Sequence, residues 1–212
     1  MVLVKPYVKG NVPTNGYMLT LAELRQLGRI FANIHTTRIE GIKKKNLQAQ
    51  VKKTFTGLNK QSREYQIAKE TKEILNKSGF TDEKFPQGFI HADLHTENIV
   101  ISKGKIVAVL DFEESCKEAF IYDLGLSILD TCVHKGNINM TRLNALITGY
   151  ESIRKLTDKE KEYIPQATLF AGLYVLHFLV KKNGVGHKEN IDEQLAARFL
   201  KMLKRESLGV SP

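Results

Sequence analysis

Cysteine is scarce in this 212-residue chain, which has only Cys116 and Cys132. Their spacing matches neither a zinc site nor the framework of a disulfide-rich secreted protein. Long apolar runs are also missing. The longest candidate, residues 167–180, is interrupted by Thr168 and His177 and falls short of the roughly 20 residues that span a bilayer. The first residues lack the apolar core of a signal peptide. We therefore expect a cytoplasmic protein with no membrane partner.

The net positive charge is unevenly distributed along the chain. There are 32 Lys and Arg against 23 Asp and Glu, which gives a net charge of +9. Residues 1–80 contribute +10 (15 basic against 5 acidic residues), and residues 81–212 contribute −1 (17 against 18). Aromatic residues do not interleave with the lysines, as they do in proteins that bind single-stranded nucleic acid. We therefore expect the lysines to form solvated surfaces and expect no nucleic-acid partner.

Helical periodicity dominates the hydrophobic pattern. Thr20 and Glu23 have the spacing of a capping box ahead of a helix. Residues 38–58 are polar and irregular, and no regular element is predicted for them. Further helices are predicted over 59–77, 121–132, 143–150, 158–182 and 191–204. A single β-hairpin is predicted at 99–110, with its turn at residues 102–105. The expected fold class is α+β and mostly helical, with this small hairpin carrying the unusual residues.

The segment from His91 to Asp123 is locally acidic. It contains seven acidic residues and three lysines. Clustered carboxylates repel one another unless a cation lies among them. The segment therefore predicts a metal-ion site.

The motif in this segment is His91-x-Asp93-x-x-x-x-Asn98, followed thirteen residues later by Asp111-Phe112. Protein kinases place a catalytic aspartate and two Mg²⁺ ligands at this spacing. A hairpin between Asn98 and Asp111 returns both residues to the same end of two paired strands, close to Asp93. Phosphoryl transfer needs an aspartate to orient the attacking hydroxyl and oxygen ligands for Mg²⁺. The alternative is that the three residues cap separate loops.

These residues also carry a resemblance to a known family. The segments 91–98, 109–113 and 122–124 resemble the aminoglycoside phosphotransferase/choline kinase superfamily of protein-kinase-like enzymes. The later segment 149–165 is similar to type II homoserine kinases. The superfamily resemblance extends over nearly the whole chain. It implies the C-terminal (large) lobe of a protein-kinase-like fold, with ATP and Mg²⁺ as cofactors.

The resemblance implies roles for individual residues. Asp93 would be the catalytic base, and His91 would be a structural member of the catalytic loop. Asn98 and Asp111 would bind Mg²⁺. Asp123 would support the loop through hydrogen bonds.

Other residues are implied to contact the nucleotide or the acceptor. The candidate nucleotide contacts are Lys5, Pro6, Tyr7, Val8 and Leu110. His95 and Glu113 are candidate substrate contacts, although the first could be a solvent-side loop residue and the second part of a solvated turn. Tyr174 and His177 are interpreted as core or groove residues, and His35 as a packed or capping residue.

The resemblance also suggests a division of the chain. Residues 1–9 would be the hinge strand that adjoins an N-terminal lobe, and residues 10–212 would form the C-terminal lobe. The glycine-rich loop, strand lysine and partner glutamate of the superfamily have no counterpart in this sequence. We therefore expect this chain alone to bind ATP poorly. We also expect residues 1–8 to be covered by self-association or by a separate N-lobe partner.

The function that we expect is ATP-dependent transfer of a phosphoryl group to the hydroxyl of a small amine-bearing metabolite, with homoserine as the first choice. The acidic surroundings of Asp111 and Asp123 suit an ammonium group, although they equally suit the metal alone. The alternatives are a choline, ethanolamine or aminoglycoside kinase, and a non-catalytic lobe that serves as a binding module.

Overall fold

The computed structural model of the protein describes residues 7–183 and 192–207. Within them the helices are α1 (Leu21–Thr36), α2 (Leu47–Thr56), α3 (Arg63–Ser78), α4 (Ile121–Thr131), α5 (Met140–Glu151), α6 (Asp158–Glu162), α7 (Ile164–Asn183) and α8 (Asp192–Ser207). The strands are β1 (Gln87–Ile90), β2 (Ile99–Ser102), β3 (Lys105–Val109), β4 (Cys116–Ala119), β5 (Val133–His134) and β6 (Asn137–Ile138). The predicted class, α+β and mostly helical, is confirmed.

The start of α1 follows directly from its sequence. The Thr20 side chain accepts a hydrogen bond from the Glu23 N–H, and the Glu23 carboxylate accepts one from the Thr20 N–H. This capping box satisfies N–H groups that the first helical turn leaves without partners. The capping prediction is therefore confirmed.

Helix α2 corrects the prediction of irregular structure over residues 38–58. Asn46 caps its N-terminus by accepting a hydrogen bond from the Ala49 N–H. Leu47, Val51 and Phe55 recur every four residues and are buried. Three apolar residues among lysines and glutamines gave a weak periodic signal, but they are enough to hold one helical face against the core.

The apolar helix α7 lies within the core and packs against α2, α3, α4 and α8. By length and composition its segment Ile164–Lys181 could cross a membrane, but most of that segment is buried inside the protein. The helix predicted over residues 158–182 is divided at Tyr163, so α6 and α7 are separate. The interpretation of this apolar segment as a buried helix is confirmed.

Helices α1 and α5 approach closely where two glycines face each other. A Cβ atom at Gly28 would lie 2.0 Å from the Leu146 carbonyl oxygen, and one at Gly149 would lie 2.0 Å from the Arg25 carbonyl oxygen. Any side chain at either position would push the two helices apart. The close packing fixes α1, which carries His35 at its C-terminal end.

Three antiparallel strand pairs lie in the described part of the chain, where one hairpin was predicted. The predicted hairpin is β2–β3, and its turn residues Lys103 and Gly104 have φ of 49° and 71°, as a type I′ turn requires. The pair β1–β4 joins strands that are distant in sequence, with Ile90 opposite Cys116. It therefore brings the segments after β1 and before β4 together. The pair β5–β6 is a short hairpin after α4.

The predicted hinge strand lies mostly outside the described residues. Lys5 and Pro6 belong to that part, while Tyr7, Val8 and Lys9 form no regular secondary structure. The following segment joins the β2–β3 hairpin, because Asn11 and Ile101 exchange two backbone hydrogen bonds of 2.8 Å.

Candidate active site

The β2–β3 hairpin positions the two predicted metal ligands. Ile99 is paired with Val109, and the Leu110 N–H donates a 2.8 Å hydrogen bond to the Asn98 carbonyl oxygen. Asn98 and Asp111 therefore flank the same open end of the hairpin. This is the juxtaposition that the sequence spacing predicted.

A buried carboxylate holds the start of the loop formed by residues 91–98. The two carboxylate oxygens of Asp123 accept hydrogen bonds of 2.8 Å and 2.7 Å from the N–H groups of His91 and Ala92. The Nε2 atom of His35 lies 3.1 Å from one of these oxygens, and its Nδ1 atom lies 2.8 Å from the Tyr150 hydroxyl. The orientation of Asp123 is thus fixed from α1 and α5. Both His35 and Asp123 are buried.

The imidazole of His91 links the 91–98 loop to the segment that follows β3. Its Nδ1 atom accepts a 3.3 Å hydrogen bond from the Asp93 N–H, and its Nε2 atom lies 2.9 Å from the Leu110 carbonyl oxygen. The Phe112 ring packs against it at a centroid distance of 4.4 Å. Burial lowers the pKa of His91, while the charges of Asp123 and Asp111 act in the opposite direction. The neutral ring therefore ties the 91–98 loop to the segment that carries Asp111.

Asn98 contacts Asp93 directly. Its Nδ2 atom donates hydrogen bonds to the main-chain oxygen of Asp93 at 2.7 Å and to the carboxylate at 3.2 Å. The Nε2 atom of His95 lies 3.7 Å from the other carboxylate oxygen. The sequence predicted one shared site for Asp93, Asn98 and Asp111. The hydrogen bonds bring Asp93 and Asn98 together, and they place Asp111 next to Leu110, whose carbonyl oxygen lies beside the His91 ring.

Two residues of the site have left-handed backbone conformations. Ala92 has φ of 66° and Asp111 has φ of 60°. Non-glycine residues seldom adopt this conformation, and it persists where the surrounding structure enforces it. Here the hydrogen bonds to Asp123 hold Ala92, and the contacts of Leu110 and Phe112 flank Asp111. The left-handed backbone therefore occurs at Asp111, a predicted metal ligand, and at Ala92, which lies between His91 and Asp93.

The donor set suits a hard divalent cation. The Nδ2 atom of Asn98 is occupied by Asp93, which leaves its side-chain oxygen as the group for a cation. Asp111 is exposed and offers a carboxylate. Among the described residues no group of three or more His, Cys, Asp or Glu forms a metal cluster. An amide and a carboxylate fit Mg²⁺, which commonly keeps waters and phosphate oxygens as its other ligands.

Comparison with known families places this geometry in context. The sequence model of the phosphotransferase enzyme family matches residues 2–156, which is well over half of the chain. The chain belongs to this family. The superfamily resemblance noted in the sequence is therefore confirmed.

Individual relatives of this chain support the same family assignment. A homoserine kinase of Sinorhizobium medicae is 32% identical over 149 residues, which cover 66% of this chain and 45% of the relative. The chain thus spans less than half the length of this curated relative.

Solved structures show the same fold at low sequence identity. An amicoumacin kinase in complex with AMP-PNP and Ca²⁺ matches with a TM-score of 0.63 and 18% identity, covering 96% of this chain and 64% of the other. A choline kinase of Streptococcus pneumoniae matches with a TM-score of 0.61 and 16% identity, covering 87% of this chain and 64% of the other.

A second buried carboxylate near the loop was missed in the sequence analysis. Asp130 on α4 accepts hydrogen bonds of 2.9 Å and 2.7 Å from the N–H and hydroxyl of Thr96. Arg198 on α8 pairs with Asp130 at 3.1 Å and donates a 2.6 Å hydrogen bond to the Asn15 side chain. Asp130 lies inside the helix predicted over 121–132. An acidic residue in that otherwise apolar helix was the sequence feature that could have indicated its role.

The remaining predicted substrate and nucleotide contacts are mostly exposed. Glu113 is exposed, while Glu114 is held by Lys45, whose ammonium contacts its carboxylate at 2.7 Å and its carbonyl oxygen at 2.8 Å. Leu110 is 37% exposed and Tyr7 is 88% exposed. No described contact joins Tyr7 or Val8 to the 91–98 loop, so their nucleotide role stays a prediction.

Proposed function

We propose that the protein transfers the γ-phosphoryl group of ATP to the hydroxyl of a small amine-bearing metabolite, with homoserine as the first candidate. The observation that carries the proposal is the arrangement of Asp93 and Asn98 around a loop fixed by Asp123. The carboxylate of Asp93 would orient the acceptor hydroxyl and take up its proton. The cytoplasm is the proposed location.

Asn98 and Asp111 would hold Mg²⁺, which supplies positive charge to the phosphate oxygens when it is bound. The Asp93 carboxylate lies beside Asn98, which donates hydrogen bonds to its main-chain oxygen and to one carboxylate oxygen. The fixed loop therefore removes much of the orientation cost of the reaction. The proposed cofactors are ATP and Mg²⁺.

Homoserine is favoured over choline, ethanolamine and aminoglycosides by the relatives. A homoserine kinase is 32% identical over 149 residues, whereas the choline and amicoumacin kinase structures are at most 18% identical. At the latter level the likeness concerns the fold alone. Homoserine is therefore proposed as the acceptor on the strength of the sequence relatives, and the proposal is tested directly.

The test separates the role of Asp93 from that of Asp111. Phosphorylation of L-homoserine, choline and ethanolamine is measured for the chain alone and for the chain combined with the N-terminal lobe of the Sinorhizobium medicae homoserine kinase. Asp93→Ala should lower the rate by at least about a hundredfold while Mg-AMP-PNP still binds, because the base acts on the hydroxyl. Asp111→Asn should weaken Mg-AMP-PNP binding itself.

Glu40→Gln is the matched control, because Glu40 is an exposed carboxylate with no role in the site. It should leave both nucleotide binding and the rate unchanged. Small and equal effects of Asp93→Ala and Asp111→Asn would refute the proposed roles. Phosphorylation of choline or ethanolamine in preference to homoserine would support the alternative acceptors.

A further inference from the structure

A groove lies between α2 and α3, and residues of α7 form part of its lining. We call it the α2–α3 groove. Its volume is about 510 Å³, which falls within the range of about 300–1,000 Å³ that is usual for small-molecule sites. Asp93, Asn98 and Asp111 do not line it, so the groove is separate from the candidate active site.

The floor of the α2–α3 groove is apolar. Each of the three helices contributes a pair of apolar side chains to it: Val51 and Phe55, Ala68 and Leu75, and Phe170 and Leu173. The members of each pair are three, four or seven residues apart, so each pair lies on one face of its helix. An apolar ligand that covers this floor would gain free energy by leaving water.

The charged side chains that line the groove are all lysines. Lys52 lies on α2, Lys69 and Lys72 lie on α3, and Lys60 lies on the connection between the two helices. All four are exposed. Within residues 7–183 and 192–207, none of them forms an ion pair with a carboxylate, and no Asp or Glu lines the groove. The positive charge of the groove is therefore not neutralised by the described part of the chain.

The helical spacing brings the charges next to the apolar floor. On α2, Lys52 directly follows Val51 and precedes Phe55 by three residues, and on α3, Lys72 precedes Leu75 by three. Lysine side chains lay their methylene stems along apolar surface and keep the ammonium group in water. Both walls of the groove therefore combine an apolar base with a positively charged rim.

This combination restricts the chemistry of a ligand. A cationic amphiphile would be repelled by the rim, and a small inorganic anion would not use the apolar floor. The groove is also short, because α2 has only 10 residues, whereas a specific protein interface buries about 800 Å² on each partner. A small molecule with an apolar chain and an anionic head group fits both the volume and the charge.

We propose that the α2–α3 groove binds a small amphiphilic anion of the fatty-acid type. The apolar chain lies on the floor, and the anionic head group lies at the rim between Lys52 on one wall and Lys69 on the other. The inference goes beyond the proposed phosphoryl transfer and does not depend on it, because the two sites share no lining residue among Asp93, Asn98 and Asp111.

The first experiment varies the ligand. Calorimetric titration of the 212-residue chain measures the binding of dodecanoate, octanoate and dodecyltrimethylammonium, each below its micelle concentration. Dodecanoate should occupy one saturable site and bind at least about tenfold more tightly than the cation with the same chain. Octanoate should bind more weakly than dodecanoate, because its shorter chain buries less apolar surface. Dodecyl phosphate distinguishes a phosphate head group from a carboxylate.

The second experiment varies the rim. Lys52→Gln combined with Lys69→Gln should weaken dodecanoate binding by at least about tenfold and reduce its advantage over the cation. Lys53→Gln combined with Lys77→Gln is the matched control, because these exposed lysines lie on the same two helices and do not line the groove. The control removes the same net charge and should leave dodecanoate affinity unchanged.

The third experiment blocks the groove. Ala49 is exposed and lines it, so Ala49→Trp should abolish dodecanoate binding while the melting temperature and the affinity for Mg-AMP-PNP stay unchanged. Lys53→Trp is the control, because it adds the same side chain to α2 outside the groove. The lysine variants decide the question if Ala49→Trp lowers the melting temperature.

Several outcomes would overturn the inference. Equal affinity for dodecanoate and dodecyltrimethylammonium would exclude a cationic rim, and equal losses in the two double variants would exclude a role for Lys52 and Lys69. Binding that survives in a folded Ala49→Trp variant would place the ligand elsewhere. A synthetic amphipathic helix of leucine and glutamate represents the rival occupant. Binding of this peptide without binding of dodecanoate, or no binding of any probe, would contradict a small-molecule site.

Discussion

At the scale of single residues, the hydrogen bonds to Asp123 are expected to matter most for stability. Its two oxygens accept from the N–H groups of His91 and Ala92, and one of them also lies beside the His35 ring. All these groups are buried, so water cannot replace a lost partner. The resemblance predicted that Asp123 would support the loop, whereas the contacts of His35 with Asp123 and Tyr150 came only from the structure.

Asp123→Asn should lower the free energy of unfolding by about 2–4 kcal/mol, because its NH₂ group would face backbone donors. Urea unfolding at pH 7 measures this change. Glu162→Gln is the control: Glu162 forms an exposed ion pair with Lys159 and should change stability by less than about 1 kcal/mol. Equal effects of the two substitutions would show that the Asp123 hydrogen bonds contribute little.

The environment of Asp82 predicts that the stability of the protein depends on pH. Its carboxylate accepts hydrogen bonds from Gln48 and Tyr122. Burial, followed by the negative charge of Glu118, raises the pKa of Asp82 to about 6 from 3.8. The folded state therefore holds this proton more tightly than the unfolded state does. Protonation of Asp82 therefore stabilises the folded state. This contribution to the free energy of unfolding is fully present below about pH 4 and is lost as the pH rises through about 6.

Asp82→Asn keeps an acceptor oxygen and removes the charge. We expect it to stabilise the protein by about 1–2 kcal/mol above pH 6, with the difference shrinking toward pH 4. Chemical unfolding of both proteins between pH 4 and pH 8 measures the difference. A difference that is independent of pH would contradict the assigned pKa.

At the scale of elements, helices far apart in sequence converge on the 91–98 loop. Asp123 and Asp130 both lie on α4, and they hold the loop at its start and at Thr96. Helix α8 reaches the same point through Arg198. The site is therefore supported by an ordered scaffold, while its functional groups lie on connecting segments.

Arg198→Ala should loosen this support, because it removes the ion pair with Asp130 and the bond to Asn15. We expect a loss of about 1–3 kcal/mol in stability and faster amide hydrogen exchange across residues 93–98. Lys204→Ala is the control on the same helix, since Lys204 is exposed. Unchanged exchange in the 93–98 segment of Arg198→Ala would rule out coupling between α8 and the loop.

At the scale of the whole molecule, apolar side chains are exposed along the N-terminal segment and the β2–β3 hairpin. Tyr7 is 88% exposed and Val107 on β3 is 46% exposed, and Phe112, which follows the hairpin, is 43% exposed. The Asn11–Ile101 hydrogen bonds connect the two segments. Exposed apolar patches of this kind favour association.

The prediction that the chain self-associates or takes a separate partner at its N-terminal segment can thus be tested by light scattering. Tyr7→Ser combined with Val107→Lys should shift the chain toward monomer. Met140→Lys on α5 is the control, because Met140 is exposed but lies on a different element. A strictly monomeric chain with ordinary kinase turnover would contradict both the association and the expected weak binding of ATP.

The sequence by itself determined the features that depend on local spacing. The α1 capping box, the turn at Lys103-Gly104 and the placement of Asn98 and Asp111 at one end of a hairpin all follow from residues near one another in the chain. The family was recognised from the resemblance of the motif residues to known members, and their types and spacing suit the chemistry of phosphoryl transfer.

Only the tertiary structure decided the features that depend on distant contacts. Helix α2 is stabilised mainly by burial of three apolar side chains, and the β1–β4 pair joins segments separated by the whole hairpin. The Asp130–Arg198 pair and the unpartnered polar atoms of Tyr174 are likewise properties of packing. Residue type alone does not reveal them, because a buried polar side chain takes its role from groups that the sequence places far away.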